Sequence, residues 1–225
     1  MNILLAIPAY NEQDTITQVI RRVPSIITSI LVVDDGSTDN TRILAKQAGA
    51  CVISHGRRKG VGEAFRTALS YAVSQRADYL VTIDADGQMF PEDIPKLLTP
   101  LANDEADIVI GSRFAYKHIS QETPILKRVG NAFFTKLMGW LTLTHFTDTQ
   151  CGFRAYSREA ILKINIVNAF TYTQETLLEA SKKGLRIKEV PVYVGPRISG
   201  ESKVVRNVFH YGVSVVMLIS RYLRD

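Results

Sequence analysis

Residues 1–110 alternate between short apolar runs and amphipathic segments, with little linker between them. The apolar runs have the length and the Val, Ile and Leu content of buried strands, and they occupy residues 2–7, 29–33, 50–54, 79–83 and 107–110. The amphipathic segments have helical periodicity and occupy residues 13–23, 40–48, 60–74 and 91–101. Regular alternation of this kind is typical of a mostly parallel sheet with helices on both faces. The pattern therefore predicts a Rossmann-like α/β fold.

The alternation stops after Gly111, where the sequence changes to longer helical patterns joined by polar loops. One more apolar strand is predicted at residues 187–194. The chain contains no internal repeat, no low-complexity tract and no Gly/Ser linker. We therefore expect one domain over residues 1–225, with the second half forming a helical region that covers one edge of the sheet.

The composition leaves several functional classes open. The net charge of +5 indicates an anionic partner, but it does not separate nucleic acid, a membrane surface and a phosphorylated substrate. The chain has only two cysteines, Cys51 and Cys151, and their spacing is not that of a metal site. So few cysteines favour a reducing, cytoplasmic compartment. The first residues lack the basic region of a secretory signal and meet Pro8 early. No window reaches the roughly 18 apolar residues of a membrane span.

Polar clusters follow three of the predicted strands, at the same end of each. They are Pro8 to Glu12, Asp34 to Ser37, and Asp84 to Gln88. Each cluster alone is acceptable turn or helix-start chemistry. Because the carboxyl ends of parallel strands share one edge of a sheet, we expect the three clusters to converge. Carboxylates crowded together in this way repel one another unless a cation or a ligand offsets their charge.

The last cluster contains Asp84 and Asp86, which point the same way if the segment is extended. Two such carboxylates suit Mg²⁺ or Mn²⁺, which prefer oxygen ligands and often share their coordination shell with substrate phosphates. For an isolated Asp-x-Asp a solvated turn is the commoner explanation. The convergence of three clusters favours the metal site.

Other nucleotide sites fit the sequence less well. The first strand is followed by Pro8-Ala9-Tyr10-Asn11 in place of the G-x-G-x-x-G of dinucleotide-binding folds. The basic glycine loop at residues 56–62 lacks the Gly-Lys-Ser/Thr of a P-loop, so it either touches a diphosphate or simply turns the chain. The histidines at positions 55, 118, 145 and 210 lack metal spacing, and we expect them to play no part in the site.

The three clusters together resemble the inverting family-two glycosyltransferases, which have the GT-A fold. Later motifs are similar to those of the polyprenyl-phosphate sugar synthases, such as dolichyl-phosphate mannose synthase, so the resemblance covers nearly the whole chain. These motifs are Gly111-Ser112-Arg113, Asp148 to Arg154, Glu189-Val190-Pro191 and Arg197 to Lys203. The Q-x-x-R-W motif of processive polysaccharide synthases is absent, since the only tryptophan is Trp140.

The resemblance implies a role for each matched position. Residues 1–110 would be the nucleotide-sugar half and residues 111–225 the acceptor half. The residues implied to hold the nucleoside are Pro8, Tyr10, Glu12, Val33 and Asp35, with Asp35 placed for either the base or the ribose hydroxyls. Those implied to meet the metal and diphosphate are Asp84, Ala85 and Asp86, with Gln88 nearby. The cations implied to bind phosphate groups are Arg113, Arg197 and Lys203, and with Asp86 they form the expected catalytic set.

The implied reaction is metal-dependent transfer of a hexose, with inversion, from a nucleotide sugar to polyprenyl or dolichyl phosphate. GDP-mannose is the favoured donor. A phosphate monoester is already ionised at neutral pH, so the acceptor needs no general base. One alternative is a GT-A enzyme that uses a UDP-sugar, a hydroxyl acceptor, or both. Another is a non-catalytic nucleotide-sugar-binding module. Nucleic acid is not an expected partner, because no aromatic and basic motif is present.

A lipid-linked acceptor also implies contact with a membrane surface. The segment at residues 204–223 has an apolar centre and basic flanks, as in helices that lie on an anionic interface. A helix packed on the protein's own core is the competing explanation. We expect a protein bound peripherally to the cytoplasmic face of the membrane.

Overall fold

The computed structural model of the chain describes residues 1–114, 125–168 and 171–196 together with Tyr222, and for residues 125–131 it describes the backbone only. The strands are β1 (Ile3–Ala9), β2 (Ser29–Asp34), β3 (Cys51–Ser54), β4 (Tyr79–Thr82), β5 (Ile108–Ser112), β6 (Arg154–Ser157) and β7 (Ile187–Pro191). The helices are α1 (Ile16–Arg21), α2 (Thr41–Gln47), α3 (Val61–Ser74), α4 (Ile94–Ala102), α5 (Ile125–Thr142), α6 (Arg158–Lys163) and α7 (Tyr172–Lys182).

The seven strands form one sheet in the order β3-β2-β1-β4-β6-β5-β7. Strand β6 pairs antiparallel with β4 and β5, and every other pairing in the sheet is parallel. The predicted mostly parallel sheet is therefore confirmed. Two of its strands, β6 and β7, come from the second half of the chain.

Strand β6 was not predicted, and the last strand ends at Pro191 rather than at residue 194. Four residues are too few to show an alternating pattern, and β6 begins with Arg154, whose charge is typical of a surface. The strand is nevertheless buried, because it lies between β4 and β5. Beyond Pro191 the chain leaves the sheet and reaches the loop after β4, where Val194 bridges to Met89.

The helices form separate layers. Helices α1 and α2 contact each other, whereas α3 contacts α6 and α7. The crossovers from β1 to β2 to β3 run in one direction along the sheet and the crossover to β4 runs back, so right-handed connections place α3 on the opposite face from α1 and α2. Helix α1 begins at Ile16 rather than at residue 13, because residues 12–15 form a turn in which Glu12 O accepts from the backbone N–H groups of Thr15 and Ile16.

The core sits on both faces of the central strands. Residues 3–7 of β1 and residues 31–33 of β2 are completely enclosed. Full burial of one Leu or Ile side chain is worth roughly 1.5–3 kcal/mol, so these strands hold their register firmly and fix where each one ends. The loops at their carboxyl ends therefore stand on a rigid base.

The predicted helix at residues 204–223 lies outside the described residues except for Tyr222. This tyrosine is partly buried against the core, and the Lys182 ammonium lies 4.6 Å from the centre of its ring. Within the described part of the chain, no helix combines the length and the apolar character that crossing a bilayer requires.

Candidate active site

The three polar clusters meet at one edge of the sheet, because β2, β1 and β4 are adjacent and parallel. Hydrogen bonds tie the loops to one another. Asn11 N–H donates to Ser37 Oγ over 2.9 Å, and Asn11 Oδ1 accepts from Thr38 N–H over 2.8 Å. Thr15 Oγ1 donates to the Ala85 carbonyl over 2.7 Å. The sequence-predicted convergence is therefore present, and side chains near the ends of the clusters maintain it.

The residues implied to hold the nucleoside differ in accessibility. Pro8, near the end of β1, and Tyr10 and Glu12, in the loop after β1, are half-buried. Val33 is completely enclosed within the core, so it supports the loop from below and presents no atom at the surface. Direct contact of Val33 with a ligand would require the loop above it to move.

Asp35 is held by the segment that follows β3. Its Oδ1 accepts from Lys59 N–H over 2.8 Å and lies 2.9 Å from His55 Nδ1, while its Oδ2 accepts from Gly60 N–H over 2.8 Å. His55 is itself held, because its Nε2 lies 2.9 Å from Thr67 Oγ1 on α3. The expectation that all four histidines lie outside the site is wrong for His55, whose side chain is buried against a site carboxylate.

The basic glycine loop, for which the sequence left two roles open, packs over the second cluster. Gly36 has a φ of +78°, and a Cβ there would lie 2.4 Å from the Arg57 carbonyl carbon. Only glycine permits this approach. The Arg58 guanidinium lies 4.5 Å from the centre of the Tyr10 ring, within cation–π range. The loop thus turns the chain and also packs against Gly36 and Tyr10, two residues of the polar clusters.

Asp84 and Asp86 lie just beyond β4, which ends at Thr82, one residue earlier than the sequence predicts. Asp86 is buried, and its Oδ1 accepts from Gln88 N–H over 3.1 Å. Asp84 is half-buried and faces Gly152, whose Cβ, if present, would lie 3.0 Å from Asp84 Oδ1 and 3.0 Å from the Tyr172 hydroxyl. Thr82 Oγ1 donates to the Gly152 carbonyl over 2.7 Å and fixes this approach. Ala85 is buried, with its carbonyl taken by Thr15.

The two carboxylates fit a hard divalent cation that takes its remaining ligands from a phosphate substrate. Residues 1–114, 125–168 and 171–196 contain no group of three or more His, Cys, Asp or Glu side chains arranged to hold a metal. A magnesium or manganese ion commonly uses only one or two protein carboxylates when substrate phosphates complete its shell. There is space beside Asp84 because residue 152 is a glycine and has no side chain.

Arg113, just beyond β5, is held by Asp148, and Asp148 is held in turn by Glu189. Its Nε and one of its terminal nitrogens donate to Asp148 over 2.6 and 2.8 Å. Asp148 is completely buried, and Glu189 on β7 accepts from the backbone N–H groups of Thr147 and Asp148 over 2.7 and 2.8 Å. Burial alone lowers the pKa of Arg113, but its hydrogen bonds to Asp148 and the negative charge of that carboxylate together outweigh burial and raise the pKa. The guanidinium therefore stays charged.

Arg154, which ends one of the motifs of the sequence but received no role there, holds the loop that carries Gly152. It is completely buried and donates to the carbonyls of Thr149, Cys151 and Thr173, each over 2.8 Å. The one sign of this role in the sequence is that Arg154, a charged residue, starts a short apolar segment directly after Cys-Gly-Phe. Glu175 on α7 accepts from the backbone N–H groups of Val167 and Asn168 and holds the segment that precedes the helix.

Arg197 and Lys203, the remaining predicted cations, lie outside the described residues. The described chain before them is anchored beside the second carboxylate. Gly195 N–H donates to the Gln88 carbonyl over 2.8 Å, and Gln88 Nε2 donates back to the Gly195 carbonyl over 3.3 Å. Gln88 therefore joins the loop after β4 to the segment that leads into the last motif.

Two other titratable side chains near Asp84 carry no charge at neutral pH. Burial, reinforced by the charge of Asp148, raises the pKa of Cys151 to about 12. Burial, reinforced by the charge of Asp84, raises the pKa of Tyr172 well above its ordinary value. Neither group adds charge beside the carboxylates.

Comparison with known proteins agrees with this arrangement. A model of the family described as glycosyl transferase family 2 matches residues 5–164. The chain is 36% identical over 214 residues to the UDP-N-acetylglucosamine–dolichyl-phosphate N-acetylglucosaminyltransferase of Methanococcus voltae, with 84% of each chain covered. It is 29% identical over 219 residues to the polyprenol monophosphomannose synthase of Mycolicibacterium smegmatis, covering 89% of this chain and 80% of that one.

A solved structure has the same fold. Glucosyl-3-phosphoglycerate synthase from Mycobacterium tuberculosis, crystallised with Mn²⁺, UDP-glucose and phosphoglyceric acid, superposes with a TM-score of 0.75 at 24% identity, covering 99% of this chain and 79% of that one. This likeness confirms the GT-A fold expected from the sequence resemblance. The family match, the relatives and the geometry of the site agree: the chain belongs to glycosyl transferase family 2 and is a glycosyltransferase.

Proposed function

We propose that the protein transfers a hexose, with inversion, from a nucleoside diphosphate sugar to polyprenyl or dolichyl phosphate, and that the transfer depends on a divalent cation. The observation that carries this proposal is the pairing of two charge types at one sheet edge: the carboxylates Asp84 and Asp86 after β4, and the charged Arg113 held by Asp148. The names of both relatives include a polyprenyl or dolichyl phosphate product or acceptor.

Asp84 and Asp86 would hold Mg²⁺ or Mn²⁺, which offsets negative charge on the departing nucleoside diphosphate. Pro8, Tyr10, Glu12 and Asp35 would surround the nucleoside, and Gln88 would keep the Asp86 loop in place. The Mn²⁺ in the fold neighbour's crystals supports a cation of this class.

Arg113 would bind the attacking phosphate. Asp148 uses two of the five N–H donors of its guanidinium, so three remain for phosphate oxygens. Arg197 and Lys203 would add to this cation set. Because the acceptor oxygen is already ionised at neutral pH, positioning and electrostatic stabilisation supply most of the catalysis and no side chain has to act as general base.

Two nucleotide sugars are candidates for the donor. The sequence resemblance favours GDP-mannose, and the mycobacterial relative is named as a polyprenol monophosphomannose synthase. The name of the archaeal relative specifies UDP-N-acetylglucosamine. Asp84 and Asp86 would meet only the metal and the diphosphate, which all nucleoside diphosphate hexoses share, so we place recognition of the base at Asp35.

We also propose that one face of α5 rests on the membrane surface that holds the acceptor. Phe133 and Trp140 are 63% and 72% exposed, and their spacing of seven residues places them on one side of the helix. Leu143, which follows the end of α5 at Thr142, is 92% exposed. Lys136 is exposed on the same side. Tryptophan and lysine beside aliphatic side chains suit the headgroup region of an anionic bilayer. On the opposite side of α5, Thr135 contacts Thr149 in the loop that positions Asp148.

The direct test is an assay of the purified protein with Mg²⁺ or Mn²⁺, a panel of nucleotide sugars and a short polyprenyl phosphate, with products identified by mass. We expect a glycosyl phosphopolyprenol with one donor. Asp86→Ala should lose at least 100-fold in turnover, on the order of losing a charged transition-state contact. Normal turnover by metal-saturated Asp86→Ala would overturn the proposal. Transfer to a hydroxyl acceptor only would replace the acceptor assignment.

A further inference from the structure

The His55 side chain limits how many hydrogen bonds Asp35 has left for a ligand. A carboxylate offers about four lone-pair sites, two on each oxygen. Oδ1 is filled by His55 Nδ1–H and Lys59 N–H, and Oδ2 carries one bond from Gly60 N–H. One acceptor site therefore remains, on Oδ2.

The surroundings of Asp35 keep the number of its occupied acceptor sites constant. The His55 and Asp35 side chains are only 6% and 7% exposed, so water has little access to replace either partner. A neutral imidazole that donates from Nδ1 to Asp35 can accept at Nε2 from the Thr67 hydroxyl, so one tautomer satisfies both contacts. Lys59 and Gly60 immediately precede α3, where a carboxylate is favourably placed at the positive end of the helix dipole.

Nucleobases differ in what they can offer such a group. Uracil presents a single N–H, at N3, between two carbonyl acceptors. Guanine presents two adjacent donors, the N1–H and the 2-amino group, which pair fully with a carboxylate only when both oxygens are available. At Asp35 the second donor of guanine would meet the filled Oδ1, and a buried donor without an acceptor weakens binding.

We propose that His55 is a specificity-determining residue, and that by filling Oδ1 of Asp35 it makes the site select uridine diphosphate sugars over guanosine diphosphate sugars. This inference rests on the proposed function, since it places the base at Asp35. It reverses the preference for GDP-mannose that the sequence resemblance alone gives.

The test measures nucleotide affinity by isothermal titration calorimetry, with Mn²⁺ and with UDP, GDP and IDP as separate ligands. IDP differs from GDP only in lacking the 2-amino group, so this pair isolates the second donor from the size of the base. We expect wild-type protein to bind UDP most tightly and IDP about tenfold more tightly than GDP. Tighter binding of GDP than of IDP, or of GDP than of UDP, overturns the proposal.

His55→Phe frees one site on Oδ1 and should bring the IDP-to-GDP affinity ratio to about one or below. Thr67→Val is the matched control, because it removes the other contact of His55 and leaves the bond to Asp35. It should keep the wild-type ratio. A purely structural role for His55 would weaken all three nucleotides equally and leave the ratio unchanged in His55→Phe, which contradicts the inference.

The IDP and GDP comparison on wild-type protein needs no variant, so the inference stays testable if His55→Phe fails to fold. It is also separable from the proposed function. Selective nucleotide binding without transfer to polyprenyl phosphate would remove the acceptor assignment and keep the role of His55. Transfer from a GDP-sugar only would keep the acceptor assignment and remove the role of His55.

Discussion

Gly152 leaves the space in which the Asp84 carboxylate sits. An alanine methyl there would lie 3.0 Å from both Asp84 Oδ1 and the Tyr172 hydroxyl, closer than ordinary carbon–oxygen contacts. Tyr172 is buried and cannot retreat easily, so Asp84 must shift. We predict that Gly152→Ala weakens Mn²⁺ binding in the presence of nucleotide by about tenfold, measured by calorimetry or by electron paramagnetic resonance of free Mn²⁺.

The matched control is Gly184→Ala, where the added methyl meets no atom within 4 Å. Its φ of +65° makes the substitution cost roughly 1 kcal/mol of folding free energy, without any effect at the site. If both variants lose metal affinity equally, the effect of Gly152→Ala comes from general destabilisation and Asp84 does not depend on that glycine.

The two cysteines should differ sharply in reactivity. Cys51 is exposed on β3, whereas Cys151 is buried and its pKa is raised to about 12 by burial and by the charge of Asp148. The thiolate is the reactive form, so Cys151 stays unreactive at pH 8. We predict that a thiol-specific disulfide reagent labels one cysteine rapidly in the native protein and two after denaturation. Cys51→Ser should abolish the fast phase. Two fast thiols in the native protein would contradict the buried position of Cys151.

Some site residues could be identified from sequence and others could not. Asp84 and Asp86 stand one residue apart after an apolar run, and this local pattern, together with the expected convergence of the three clusters, marks them as candidates. The partnership of Asp35 with His55 joins residues separated by 20 positions, and that of Glu189 with the Asp148 backbone joins residues separated by 41. Neither pair has a local pattern, because the folded sheet alone brings the partners together.

At the scale of elements, the first half follows the sequence closely because each strand there has a helix after it. The exception lies between β4 and β5. Strand β6 has four residues and arrives from distant sequence to pair with both neighbours, so no local period indicates it. Its starting residue, Arg154, is buried because three backbone carbonyls replace the water that would otherwise solvate its charge.

The exposed face of α5, which we propose rests on the membrane, can be tested through Trp140. Replacing Trp140 by Ala removes the largest apolar side chain of that face, which is 72% exposed and therefore contributes little to the core. We predict that Trp140→Ala leaves thermal stability unchanged and reduces cosedimentation with anionic phospholipid vesicles several-fold. Leu162→Ala on α6, also an exposed apolar position at 59%, is the control and should bind vesicles like wild type. Equal vesicle binding by Trp140→Ala and wild type would exclude this face.

At the scale of the whole molecule, the sheet joins the two halves that the sequence separates. Residues 1–110 were expected to hold the nucleotide sugar and residues 111–225 the acceptor. Strands β6 and β7 from the second half occupy positions on both sides of β5 from the first. The single domain over residues 1–225 remains a prediction, and the interleaved strands make separate folding of the halves unfavourable, since each would expose sheet edges.

The edge where β5 and β7 begin should make global stability depend on acid pH. Arg186 donates to the Asp107 carboxylate from its backbone N–H over 2.8 Å and from its guanidinium over 3.1 Å. These hydrogen bonds, chiefly the one from the side chain, hold the pKa of Asp107 below its ordinary value. A lowered folded-state pKa means that the stabilisation is complete above the unfolded-state value near 3.8 and is lost as pH falls toward the folded-state value.

We therefore predict that Asp107→Asn lowers the free energy of unfolding by about 1–2 kcal/mol at pH 7 in urea denaturation, and that its deficit relative to wild type shrinks below pH 4. Glu105→Gln is the control. Glu105 pairs with Lys188 at the surface, where water and salt screen the attraction, so its removal should change stability little at either pH. Only an ionised carboxylate loses its stabilising effect when it takes up a proton. If the deficit of Asp107→Asn stays constant from pH 7 to pH 3, the contribution of Asp107 therefore comes from its shape and neutral hydrogen bonds, and the prediction is wrong.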